Sequence, residues 1–266
     1  MLNFTKAGRI FYGIGIAGLG VQQFMYADFR PVILPGWPSW MHENIFLAFL
    51  AGGLLVFAGL VVAFVKQAGT TAYVLGWMLL AFFAAFQLPF LLYVTQNALQ
   101  VGFWTNPLKE TALAGGAFVM TGSFYINQAG RQGFKASPDI WIRTGSILFS
   151  ITMIVFGIDH FIYTDFVATL VPSWIPGHTF WTYFAAIALI GSGITVILKI
   201  KLQTVALLLA TMLFLWFILL HIPRAVTDPN GDKGNEITSV FEALAFCGTA
   251  LVIAGTHTTG RKPIPA

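Results

Sequence analysis

The chain has 266 residues, of which 57% are hydrophobic and only 9% charged, and a formal net charge of +4. An ordinary soluble domain carries about a quarter charged residues, so this composition excludes that class. The one cysteine, Cys247, excludes an internal disulfide and a self-contained dithiol relay.

The first apolar run, Ile10 to Tyr26, contains Gly13-Ile-Gly15-Ile-Ala-Gly18. It matches a dinucleotide-binding glycine pattern only formally, because no strand precedes it. Small residues that let helices approach closely explain it better. No small-residue cleavage site follows, so the run reads as a retained helix. Asp28 to Trp40 then breaks helix with Pro31, Pro35 and Pro38, and places Trp37 and Trp40 in an interfacial loop. Helix is expected next over Ile45–Val65 and Ala72–Val94, followed by a loop with Trp104, Pro107, Lys109 and Glu110, and helix again over Thr111–Ile126.

The polar segment Asn127 to Pro138 is the best domain boundary. Beyond it the pattern restarts: helix over Trp141–Tyr163, a Pro/Trp loop over Val171–His178, then helices over Trp181–Leu198, Leu202–Ile222 and Thr238–Gly255. Eight runs of this length predict an all-α polytopic membrane protein, since backbone in lipid must satisfy its own hydrogen bonds and no alternating barrel pattern is present.

The two halves correspond. Gly20-Val-Gln-Gln-Phe-Met-Tyr-Ala-Asp-Phe recurs 137 positions later as Gly157-Ile-Asp-His-Phe-Ile-Tyr-Thr-Asp-Phe. Gln87-Leu-Pro89 recurs 134 positions later as His221-Ile-Pro223, and Gly122 recurs as Gly255. Four helices per copy imply parallel repeats, residues 1–130 and 131–266. On this arrangement Lys6, Arg9, Lys66, Arg131, Lys135, Arg143, Lys199, Lys201, Arg261 and Lys262 share one side, against Arg30, Lys109, Arg224 and Lys233 on the other. That asymmetry predicts both termini on the cytoplasmic side of a bacterial-type inner membrane, and it explains the net charge without nucleic acid.

The copies differ in their ionisable groups. Asp159-His160, His221 and Arg224 stand where the first copy has Gln22-Gln23, Gln87 and Phe90. A fold that required charges there would have them twice, so the second half is the candidate site. Glu242 lies roughly 20 Å along its helix from the inner end, within the outer leaflet, where a lone charge costs about 2.5–3.5 kcal/mol. His221 and Arg224, three residues apart on the neighbouring helix, are its expected partners. A hydrogen-bonded plug with no ligand is the structural alternative. Asp159, His160, His221 and Glu242 are candidates for proton transfer, and bis-imidazole haem ligation by His160 and His221 or a metal held with Glu242 stay open behind that. His42 and His178 fall in the loops.

Gly157-Ile-Asp-His160-Phe161 followed by Val171-Pro-Ser-Trp174-Ile-Pro176, in a four-helix membrane unit, resembles the DoxX family, including its DoxD-type members. The degenerate copy is Gly20-Val-Gln-Gln23-Phe24 with Leu34-Pro-Gly-Trp37-Pro38, so the resemblance covers nearly the whole chain as two fused units. It implies a membrane component of an oxidoreductase system that works with a protein partner. A quinone would sit in an outer-leaflet pocket of the second unit, bound by His221 and Arg224 with Tyr163 and Trp174 as walls. An accessory or assembly subunit, or a carrier of a lipid or small acid, is the alternative.

Overall fold

The computed structural model describes residues 4–126 and 137–259; most of the expected boundary segment, with Arg131 and Lys135, and the basic pair Arg261 and Lys262 lie outside these. All regular structure among the described residues is helical, with no strand among them. We number the helices α1 Phe4–Tyr26, α2 Ser39–His42, α3 Ile45–Phe64, α4 Gly69–Val94, α5 Thr105–Tyr125, α6 Pro138–Ile162, α7 Thr164–Leu170, α8 His178–Ile197, α9 Leu202–Thr227 and α10 Asn235–Thr259.

Six of them, α3, α4, α6, α8, α9 and α10, are long and apolar enough to cross a membrane. Their outward faces carry bare hydrophobic side chains such as Phe46, Phe57, Phe64, Phe180, Ile187 and Leu208. In water such a surface would be costly; against lipid tails it is the expected finish. Helices α1 and α5 are as long but less apolar, for a physical reason. Most of α5 is buried, from Pro107 through Phe124, and it is wrapped by other helices rather than by lipid. Its small and polar residues, Gly115, Gly116, Thr121 and Ser123, therefore face protein.

Helix α1 packs along α3 and α10, while α6 packs along α8 and α5. Helix α4 lies on α5 and α9 on α10, and α5 meets α10 at the centre. Each half of the chain thus lends its first helix to the last helix of the other half. The crossings depend on glycine. A Cβ on Gly8 would lie 2.5 Å from the carbonyl oxygen of Gly248, and one on Gly145 would collide with that of Gly115. No side chain fits either place.

Several helices start earlier than their apolar runs do, and three of these extensions bear on the packing and the site. Helix α1 takes in Lys6 and Arg9, because the Arg9 guanidinium finds partners inside the bundle: Nε donates to Ser123 Oγ at 3.0 Å and a terminal nitrogen donates to the Ser123 carbonyl at 2.6 Å. Its charge also sits 3.8 Å over the Phe124 ring. Helix α5 takes in Pro107, Lys109 and Glu110, correcting the loop expected there; proline is tolerated in a first turn. Helix α10 begins at Asn235 and so includes Glu236.

Helices α4 and α9 each widen near their ends. The amide of Leu88 bonds the carbonyl of Phe83, and that of Ile222 bonds Phe217, five residues back in both cases. Pro89 and Pro223 follow directly, and a ring that would clash with the carbonyl four residues earlier is accommodated by the wider turn.

The two Pro/Trp loops part company. After α1 the chain turns at Ala27 (φ 52°) and folds inward, burying Val32, Ile33 and Leu34. His42 pins this loop, with Nδ1 2.7 Å from Asp28 Oδ1 and Nε2 donating to the Pro35 carbonyl at 2.6 Å. After α6 the chain instead continues as α7, and the loop beyond it leaves Trp174 exposed.

Candidate functional site

At the end of the bundle that carries these loops, three helices bring charges together in its interior. Lys109 on α5 reaches Glu242 on α10, Nζ to Oε2 2.8 Å, with side-chain exposures of 14% and 3%. Twelve residues separate Arg224 at the end of α9 from Glu236 at the start of α10, and they form a two-pronged pair: Nε donates to Oε2 at 2.9 Å, and the second prong joins a terminal nitrogen to Oε1. Planar guanidinium and carboxylate match in this geometry. His221, in the widened turn of α9, lies within electrostatic reach of Lys109, Glu236 and Arg224.

The partners therefore differ from those expected. Glu242 pairs with Lys109 and Arg224 pairs with Glu236, because α5 and α10 both start earlier than their apolar runs indicate. Sequence reasoning missed Lys109 and Glu236 as members of the cluster. The signal for Lys109 lay in its position, 133 residues before Glu242, the same separation as Gly122 from Gly255.

Polar atoms are left over. Nδ1 of His221 and Oε1 of Glu242 are buried with no hydrogen-bond partner among the described residues, and so is Oδ1 of Asp159. A buried orphan of this kind costs about 1–3 kcal/mol, more when charged, unless a ligand or water completes it.

The remaining predicted residues spread out from this cluster. His160 donates from Nδ1 to the Phe156 carbonyl at 2.7 Å, which leaves Nε2 as its acceptor when neutral. Its ring lies nearly parallel to Trp216 of α9, centroids 6.0 Å apart, so it borders α9 from the α6 side. Tyr163 is engaged elsewhere, its hydroxyl accepting from the Gly102 amide at 3.2 Å in the first half. Trp174 stands 66% exposed in the loop after α7. The structure thus gathers His221, Glu242 and Arg224, sets His160 against Trp216 of α9, and leaves Tyr163 and Trp174 outside. Among the described residues, no three His, Cys, Asp or Glu side chains converge as metal ligands.

The first half is polar as well. Gln22, Gln23, Arg30, Gln87 and Glu110 are all at most 2% exposed. Thr238 on α10 donates to Gln22 Oε1 at 2.6 Å and accepts from Arg30 Nε at 3.3 Å. The glutamines that replace ionisable groups there are thus deeply buried, and Gln22 and Thr238 tie the two halves together. No protein-family model, curated protein or solved structure matches the chain.

Proposed function

We propose that this chain is an eight-crossing membrane protein of two related four-helix units, residues 1–130 and 131–266, of the DoxX type. In this reading it is the membrane component of an oxidoreductase system, binding a quinone in the outer leaflet beside His221 and Glu242. Matching contacts support the two units. Gly8 against Gly248 and Gly145 against Gly115 are the same crossing made twice, 137 and 133 positions apart. Tyr26 reaches the Pro229 carbonyl across the halves, as Tyr163 reaches Gly102. If α1 and α5 cross as well, their interior-facing polar residues are sheltered by the other six, and the distribution of basic residues favours both termini in the cytoplasm.

The observation that carries the ligand is the pair of orphaned buried atoms, His221 Nδ1 and Glu242 Oε1, on adjacent helices. A quinone supplies two-electron chemistry between carbonyl and hydroxyl forms within the bilayer. Towards it, His221 donates to or accepts from a ring oxygen, and Glu242, held by Lys109, takes up or returns a proton. Arg224 is fixed by Glu236 and shapes the rim; Asp159 and His160 offer a path for the proton along α6. The electrons come from a partner protein.

The internal pairing of Lys109 with Glu242 and Arg224 with Glu236 favours a second reading, an accessory subunit whose charges are purely structural. Purification in mild detergent, followed by organic extraction and an absorption spectrum, separates the two. Co-purifying quinone that is lost in His221→Ala supports the binding site. A Soret band would install haem instead, and neither signal would leave the accessory reading.

A further inference from the structure

The inward-folded loop of the first half fills the outer end of the cleft between α3 and α4. Phe29 and Leu34 form one buried cluster with Met41, with Ala48 and Ala51 of α3 and with Phe86 of α4, while Val32 and Ile33 join the main core. The loop is tied to α4, because Gln87 Nε2 donates to the Pro31 carbonyl at 2.9 Å. Gln22, Gln23, Gln87 and Leu91 are all buried at this end.

Counted 137 or 134 positions on, the matching residues of the second half are all more open. The segment after α6 runs out as α7, which packs on α8. Phe166 is 65% exposed where Phe29 is 3%. Leu170 and Val171 are part-exposed where Ile33 and Leu34 are buried, and Ala225 is part-exposed where Leu91 is buried. Asp159, His160 and His221 are part-exposed where the three glutamines are sealed. This segment therefore does not fill the outer end of the cleft between α8 and α9. The side chains exposed on these two helices near that end are hydrocarbon or aromatic, Phe184, Ile218, Leu219 and Ile222. Deeper in stand the unpartnered Nδ1 of His221 and Oε1 of Glu242. A polar end behind an apolar, lipid-facing mouth has the form of a seat for an amphiphile.

We propose that the cleft between α8 and α9 is a lateral doorway from the lipid to the His221 cluster, and that it seats the hydrocarbon tail of the ligand. The tail takes the place that the chain's own Phe29, Val32, Ile33 and Leu34 take in the first half, which closes that half to the same ligand. A tail gains little by leaving lipid for protein, so the cleft acts through packing and places the head, rather than through hydrophobic transfer. The proposal rests on the two-unit reading and on a ligand head meeting His221 and Glu242.

The test is calorimetric titration of the full-length protein in lipid nanodiscs with dimethoxy-methyl-benzoquinone and, separately, with the same ring carrying a decyl tail, each corrected against empty nanodiscs. Ala225 lies one turn beyond His221 on the same face of α9, so Ala225→Trp puts bulk into the doorway. It should weaken the tailed probe about tenfold, the cost of overfilling a packed contact, and leave the tail-less ring unchanged. Val226→Trp, which adds the same bulk at a position 75% exposed, should change neither. His221→Ala should weaken both. Should Ala225→Trp fail to fold, Ala225→Leu, the residue that the first half has at Leu91, is read in its place with the same direction expected. If Ala225→Trp leaves the tailed probe unchanged, or weakens both probes equally, the doorway is overturned and the head site stands. Loss of the tailed probe in Ala225→Trp but not in His221→Ala keeps the doorway and overturns the His221 reading. Absence of saturable binding by either probe overturns both.

Discussion

The ammonium of Lys109 lies 2.8 Å from Oε2 of Glu242, joining α5 to α10 inside the loop-bearing end of the bundle. Both side chains are nearly out of solvent, and this decides what removing one does. Lys109→Met or Glu242→Leu strands an opposite charge in the interior and should destabilise by about 3–5 kcal/mol. The double variant removes both charges and should recover most of that loss. Thermal unfolding of the four proteins in one detergent measures the coupling; a double variant no better than the worse single one would mean that the pair is not the reason for the loss.

Arg224 and Glu236 form the better-shaped ion pair but the weaker one. Their side chains are 32% and 19% exposed, so solvent screens them and the pair contributes about 0.5–1 kcal/mol. Arg224→Gln should therefore melt close to the parent. If the pair holds the rim of the quinone site, the same variant should still co-purify with less quinone. Retention of quinone at the parental level would confine Arg224 to a structural role.

The apolar runs showed most of this fold in advance, and the reason is simple: lipid-facing helices such as α3 and α8 must be hydrophobic, whatever they pack against. Helices α1 and α5 were harder to bound. Their ends are wrapped by protein, so Arg9 and Glu110 sit inside them without a hydropathic signal. The same fact hid the partner of Glu242. Lys109 precedes the apolar run and so reads as a loop residue, whereas α5 begins at Thr105. Nor could spacing show that Asp28 and His42 would fold the first loop inward while the second runs on as α7. That choice depends on a contact between side chains 14 residues apart.

The Gly145 crossing has no room for any side chain, with the Gly115 carbonyl directly against it. Gly145→Leu should push α6 from α5 and cost at least about 1–3 kcal/mol. Gly8→Leu should do the same to α1 and α10, where the carbonyl of Gly248 faces it. Fluorescence-detected size exclusion of tagged protein reads both. Gly191→Leu is the control, since a Cβ there meets nothing within 4 Å, and it should elute as the parent does. Equal losses in all three would show that bulk alone, and not the crossings, is at fault.

The orientation is open to a direct chemical test because Cys247 is buried. With Cys247→Ala as background, a cysteine is placed at Leu99, fully exposed in the loop before α5, or at Lys66, exposed between α3 and α4. The charge asymmetry predicts Lys66 with the termini, on the cytoplasmic side. A membrane-impermeant maleimide should then label Leu99→Cys in right-side-out vesicles and Lys66→Cys only in inverted ones. The reverse pattern would turn the protein over, and the His221 cluster would then open toward the cytoplasmic leaflet. Labelling of both positions in the same vesicles would break the link between Gly69–Val94 and a complete crossing.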